Sequence, residues 1–176
     1  MSTLPVPVRF ALPGDRWTPV RPESRGVVNA AFLAVRTGLP GDYEPTLTIS
    51  GGWRTDDATL EQIGDESLAK LRVEGATEVE LLKRTVTRSE HVPAVTQAIG
   101  SVIVVDGRTF DLRQAQVIEG LLDVEDPERR VVNIFTLTCT YGQWEQMVPE
   151  FQAFMASVEV VPGPGVDVAG DEPSGD

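Results

Sequence analysis

Alternating hydrophobic and polar positions dominate the chain and predict a β-rich fold. Alternation or β-branched residues recur over residues 27–36, 46–54, 78–88, 93–105, 110–122 and 130–140. Near the start, Phe10 and Leu12 alternate before a turn at Pro13-Gly14-Asp15. Short separators join the last four strands, and Asp106-Gly107 is typical of a tight hairpin turn. The pattern therefore predicts an antiparallel meander instead of parallel strands joined by helices.

Two segments repeat their apolar residues at helical spacing. In residues 56–72 the apolar positions are Leu60, Ile63, Leu68 and Leu71. Thr55, Asp56 and Asp57 would cap the start of this helix, and Gly75 would follow its end. The second segment places seven apolar residues on one helical face: Trp144, Met147, Val148, Phe151, Phe154, Met155 and Val158. Pro149 is awkward there, so this helix is either kinked or starts near Pro149.

The amino-acid composition limits the kinds of partner that the protein is expected to bind. The formal net charge of −12 repels phosphate backbones and anionic lipid heads, so we expect neither a nucleic acid nor a membrane partner. A basic protein partner fits this charge. With one cysteine the chain has no internal disulfide. The first residues contain no basic segment before an apolar run, so the sequence predicts a cytoplasmic protein.

The residues that could carry chemistry are few and scattered. Cys139 shares a strand face with Phe135 and Leu137, which predicts a buried core thiol instead of a nucleophile. His91 is the only histidine and lies in a strand connection. Four carboxylates share one turn but lack the glycine and the ligand spacing of a calcium loop: Asp123, Glu125, Asp126 and Glu128. We therefore expect no catalytic residue, no metal and no cofactor.

A strand followed by two glycines and a helix start resembles a phosphate-binding element. No lysine follows Gly51 and Gly52, and Asp56 and Asp57 would repel a phosphate at that helix end. These glycines instead predict a β-bulge or the exit from a strand.

Aromatic and amide side chains give the candidate contact residues. Each tryptophan lies near an element boundary beside polar residues, where it can be core, rim or interface. The candidate partner-binding residues are Trp17, Trp53, Trp144, Gln114 and Gln116. An alternative is a small-ligand pocket lined by polar strand positions, namely Thr96, Gln97, Gln114 and Gln116.

Two stretches carry a resemblance to a known superfamily. Residues 10–17, FALPGDRW, resemble the opening strand and turn of PsbP-like proteins, and residues 136–158 resemble their last strand and the helix that follows it. This superfamily includes Mog-type, DcrB-type and LpqN-type proteins. The resemblance implies an α+β fold, with about six to seven antiparallel strands and flanking helices in an α/β/α sandwich. It also implies a partner-binding protein without a shared catalytic set.

These observations lead to one main hypothesis and two alternatives. Residues 1–8 would form an extended arm, residues 9–161 a single domain, and residues 162–176 a disordered acidic tail. We expect a non-enzymatic adaptor or chaperone-like domain, with a secretion system or an effector as its candidate association. The alternatives are a small-ligand binder and a structural subunit that forms a homodimer through its sheet edges.

Overall fold

A computed structural model describes residues 3–87, 92–122, 126 and 128–161 of the chain. The strands are β1 (Val8–Arg9), β2 (Trp17–Val20), β3 (Phe32–Arg36), β4 (Thr46–Arg54), β5 (Thr77–Thr87), β6 (Ala94–Val105), β7 (Arg108–Leu122), β8 (Arg130–Thr140) and β9 (Glu159–Val160). The α-helices are α1 (Leu60–Val73) and α2 (Trp144–Ser157). Short 3-10 helices span Pro22–Arg25 and Tyr141–Gln143. None of the helices in the described part of the chain is long and apolar enough to cross a bilayer.

Seven strands form one antiparallel sheet in the order β2-β3-β4-β8-β7-β6-β5. The predicted α+β class and the meander from β5 to β8 are both confirmed. Asp106 and Gly107 have φ angles of 51° and 74°, and they join Val105 to its directly paired residue Arg108. Two consecutive positive φ angles define the tight hairpin that the Asp-Gly pair predicted.

The two helices cover opposite faces of this sheet. Along β8, Phe135, Leu137 and Cys139 belong to the core cluster beneath α2. The opposite face of the same strand carries Val132, which packs in a second cluster with Leu60 and Ile63 of α1. Because successive side chains of a strand point to opposite faces, the layers are helix, sheet and helix. We call the two sides of the sheet the α2 face and the α1 face.

Helix α1 begins later than the sequence predicts. Its N-cap is Thr59, whose hydroxyl accepts a hydrogen bond from the backbone of Gln62, and the Gln62 side chain accepts one from the backbone of Thr59. The predicted caps Thr55, Asp56 and Asp57 are wrong. Asp56 is instead hydrogen bonded to Arg54, which lowers the pKa of the Asp56 carboxyl.

Glycine in the middle of α1 has a packing role. A Cβ atom on Gly64 would lie 2.6 Å from Oε1 of Gln97 and 2.9 Å from a guanidinium nitrogen of Arg84. The missing side chain therefore lets the helix backbone approach the sheet closely.

Helix α2 runs continuously from Trp144 to Ser157 through Pro149. The interpretation in which the helix starts near Pro149 is therefore wrong. Proline removes one backbone hydrogen bond, to the carbonyl of Glu145. Burial of Met147, Phe151 and Phe154 against the sheet offsets that loss.

Two further strand predictions need correction. Strand β3 begins at Phe32, five residues later than predicted, because Asn29 has a φ angle of 63° that interrupts an extended backbone. Gly51 and Gly52 are neither a bulge nor a strand exit, since both lie inside β4 in regular register with Asn133 and Val132.

Candidate binding groove

An apolar groove lies on the α2 face, beside α2 and above the β5 to β7 end of the sheet. Its volume is about 380 Å³. The residues that line it are Lys83, Thr85, Thr96, Gln97, Ala98, Ala115, Val117, Trp144, Val148, Phe151, Gln152 and Met155. We call it the α2 groove.

Packing preferences and small side chains explain why the groove exists. The core cluster under α2 includes Leu47, Ile49, Phe135 and Leu137, so the helix lies over β4 and β8. On the opposite face, α1 contacts β5, β6 and β7. Among the described residues, β7 contributes only Ala115 and Val117 to the cluster under α2, and β5 and β6 contribute none. Ala98 and Ala115 lie on its floor and are too small to fill the space.

The groove differs in charge from the rest of the protein. Among the described residues, Lys83 is the single charged one in the lining, whereas the whole chain carries a net charge of −12. Lys83 is exposed and makes no ion pair with the described residues. The local environment therefore favours an apolar ligand or partner segment with a negative group near one wall.

The three tryptophans predicted as contact residues lie in different environments. Trp144 is half-buried and lines the α2 groove. Trp17 is only 4% exposed, and its indole Nε1 donates a hydrogen bond to Glu150 Oε2 at 3.0 Å, so it is a core residue and offers no contact surface. Trp53 is 46% exposed, and the guanidinium of Arg129 lies 4.1 Å from its ring centre. Trp53 is not among the residues that line the groove.

Glu150 joins the helix to the far edge of the sheet. Besides Trp17, it binds the buried side chain of Arg36 through two hydrogen bonds of 3.0 Å each. This bidentate pair was not predicted from the sequence. No local pattern pairs a helix carboxylate with a strand arginine 114 positions away.

The polar strand residues do not converge on one pocket. The Gln97 amide donates to Gln116 Oε1 at 2.8 Å and to the carbonyl of Gly64 at 3.1 Å. Gln114 donates to the hydroxyl of Thr138 at 3.1 Å, on the same α1 face. Of this predicted set, Thr96 and Gln97 line the groove, and the amide of Gln97 is hydrogen bonded on the α1 face. Gln116 is buried, so it contributes to packing under α1 instead of to a contact surface.

Cys139 is a core residue, as predicted. It is fully buried, and burial raises the pKa of its thiol to about 12. The thiol therefore remains protonated and is a poor nucleophile at neutral pH. Among the described residues, no group of three or more histidine, cysteine, aspartate and glutamate side chains could hold a metal ion. His91, Asp123 and Glu125 lie outside the described residues, so the predictions about them stay predictions.

A second polar feature lies on the α2 face and was missed in the sequence. Asn133 is fully buried, and neither its Oδ1 nor its Nδ2 has a hydrogen-bond partner within the described part of the chain. A Cβ atom on Gly51 would lie 2.5 Å from that Oδ1, so the glycine makes room for the amide. Across the strand pair, burial raises the pKa of Glu119. The one signal in the sequence is that Asn133 interrupts an apolar strand face.

Comparison with known proteins identifies the fold. No protein-family model and no curated protein matches the chain. Among solved structures, the chain is similar to LpqN of Mycobacterium tuberculosis, which is described as involved in cell envelope biogenesis. The two share 14% sequence identity with a TM-score of 0.60, and the match covers 90% of this chain and 86% of LpqN. It is also similar to cyanobacterial PsbP (CyanoP) of Synechocystis sp. PCC 6803, with 11% identity, a TM-score of 0.56, and coverage of 88% and 92%. At these identities the likeness establishes the fold alone. The chain therefore has the PsbP-like, LpqN-like fold that the resemblance predicted.

Proposed function

We propose that this protein is a non-enzymatic adaptor that holds an amphipathic helix of a protein partner in the α2 groove. The observation that carries the proposal is the groove beside α2, whose apolar floor is formed by Ala98 of β6 and by Ala115 and Val117 of β7. Helix α1 contacts these strands on the opposite face of the sheet. Trp144, Val148 and Met155 form the wall of the groove and are half-buried. A partner that covered them would bury the apolar surface that they expose.

The dimensions of the groove suit one helix. Three neighbouring strands span two interstrand spacings, or roughly 10 Å. A helix with its side chains is roughly 10 Å wide, and packed helices lie about 8–10 Å apart. A partner helix could therefore lie beside α2 over β5 to β7 and bury an apolar stripe there. A carboxylate at the edge of that stripe would pair with Lys83.

The acidic surface outside the groove supports a partner that is basic elsewhere, because opposite charge accelerates encounter. We keep the cytoplasm as the proposed location of this encounter, and cell fractionation would test it.

A small-ligand binder is the second candidate, since a volume of about 380 Å³ lies in the range of ligand pockets, about 300–1,000 Å³. A ligand that fills the groove would raise the melting temperature of the isolated protein. A helix-binding adaptor would instead be stabilised by its protein partner.

Site-specific crosslinking distinguishes the groove from the rest of α2. A photoreactive amino acid is placed at Gln152, which is exposed and lines the groove, and in a matched variant at Ala153, which is exposed on α2 outside the groove. We expect the Gln152 variant to crosslink one protein at defined stoichiometry, and the Ala153 variant to crosslink it much less.

Val148→Asp should abolish the Gln152 crosslink, whereas Ala153→Asp should preserve it, with both variants folded by circular dichroism. Equal crosslinking from both positions, or none from Gln152 in living cells, would contradict the adaptor function.

A further inference from the structure

The two edges of the main sheet differ in their capacity to pair with another strand. Strand β2 has four residues and contains Pro19, which lacks a backbone donor. Strand β5 has eleven residues, and no strand lies beyond it in the described part of the chain. Three of its apolar side chains are exposed: Leu81 by 36%, Leu82 by 45% and Val86 by 41%. The β5 edge is therefore the site where strand addition is possible.

The charges along β5 are arranged in a self-complementary order. Glu80 pairs with Gly100 of β6, and Lys83 pairs with Ala98 of the same strand. Gly100 and Ala98 are two positions apart on β6 and therefore share a face of the sheet. Their partners Glu80 and Lys83 lie on this same face, which is the α2 face. Glu80, like Lys83, is exposed and makes no ion pair with the described residues.

We propose that two copies of this protein associate through antiparallel pairing of their β5 strands. The two-fold axis would pass between Leu81 and Leu82, perpendicular to the sheet. Each Glu80 would then lie opposite Lys83 of the other copy, giving two ion pairs, and the leucines of both copies would meet at the centre. This inference concerns self-association and does not rest on the proposed helix-binding function, although Lys83 takes part in both proposals.

The irregularities of β5 restrict the register of this pairing. The register with β6 shifts between Thr77 and Glu80 and again between Leu81 and Lys83, and it is regular from Lys83 to Thr87. Such bulges blunt an edge against indiscriminate pairing. Opposite charges at one register add a specific preference, whereas sliding one copy by two residues separates Glu80 from Lys83.

The dimer would change the shape of the groove. A two-fold axis perpendicular to the sheet places the α2 faces of both copies on the same side. The two grooves would then join over a continuous floor from β7 of one copy to β7 of the other, roughly 24 Å wide at five interstrand spacings. One α2 helix would stand at each side. Residues of both copies would therefore line one shared surface.

Single strand edges bury little area, so we expect a weak, concentration-dependent dimer that weakens as salt rises. Sedimentation velocity of the full chain from about 10 to 500 µM would measure it. Glu80→Lys and Lys83→Glu should each weaken dimerisation at least about tenfold, because each places like charges opposite one another. The combined variant carries the original net charge and should restore dimerisation to within about threefold.

Glu145→Lys is the matched control, because Glu145 is exposed on α2 and the change in net charge equals that of Glu80→Lys. Dimerisation should survive in this variant. A monomer over the whole concentration range, or a combined variant no better than the single ones, would overturn the proposal. A dimer that neither charge reversal affects would also overturn it, since its interface would lie elsewhere.

Discussion

Replacing Glu150 with alanine should destabilise the fold strongly, because Glu150 holds two buried groups. Its carboxylate accepts two hydrogen bonds from Arg36 and one from Trp17, all at 3.0 Å. The side chains of Arg36 and Glu150 are only 10% and 23% exposed, so solvent screens the pair weakly. Removing one partner of a buried pair costs about 3–5 kcal/mol, mainly because the other charge stays buried and unpaired. Since Glu150 keeps some contact with water, we expect Glu150→Ala to lower the free energy of unfolding by about 3 kcal/mol.

A double-mutant cycle separates the ion pair from the packing. The double variant Arg36→Met, Glu150→Met removes both charges. Its loss of unfolding free energy should be smaller than the sum of the losses in the two single methionine variants, by at least about 2 kcal/mol. Urea unfolding followed by far-ultraviolet circular dichroism measures the free energy of unfolding, and it avoids the altered fluorescence of Trp17. If Glu150→Ala cost less than about 1 kcal/mol, or if the cycle were additive, the buried-pair reasoning would be wrong.

Three further predictions follow from the interior of the α2 face. Gly51→Ala should lower the melting temperature, because its Cβ would lie 2.5 Å from Asn133 Oδ1. Gly52→Ala should be tolerated, because no atom of the described residues lies within 4 Å of its Cβ. Thermal unfolding of both variants compares them directly. Folding raises the pKa of Glu119, so the stability associated with this group is present below the ordinary glutamate pKa and is lost as the pH rises through the folded value. Glu119→Gln should therefore increase the free energy of unfolding at about pH 7 and have little effect near pH 4, and equal effects at both would contradict the burial argument. The Cys139 thiol, with a pKa of about 12, should resist iodoacetamide at about pH 8 in the native protein and react after unfolding in urea; rapid native alkylation would show that the thiol is accessible.

Local patterns predicted the elements of this fold better than they predicted its contacts. Residues 46–54 and 130–140 form strands with the predicted bounds. Alternating and β-branched residues predict such strands well, because these residues pack favourably on a pleated sheet surface. The cap of α1 was misplaced because three candidate polar residues precede Thr59, and the ion pair of Asp56 with Arg54 becomes visible only in three dimensions.

The candidate site was predicted only in part. Trp144 was named as a contact residue, and the apolar face of α2 was identified in the sequence. Which strands α2 covers depends on the large residues of β4 and β8 and on the alanines of β6 and β7, which are far apart in the chain. The burial of Trp17 and Gln116 likewise depends on Glu150 and on α1, and no short stretch of sequence contains both partners.

The small sheet of β1 and β9 has a consequence for the connectivity of the domain. Val8 pairs with Val160 and Arg9 pairs with Glu159, so the chain enters and leaves the domain at the same place. A short linker between these ends would allow a circular permutant with new termini at the Asp106-Gly107 hairpin, which lies on the surface. The same closeness means that the whole domain can be inserted into a loop of another protein without separating the two ends of that loop.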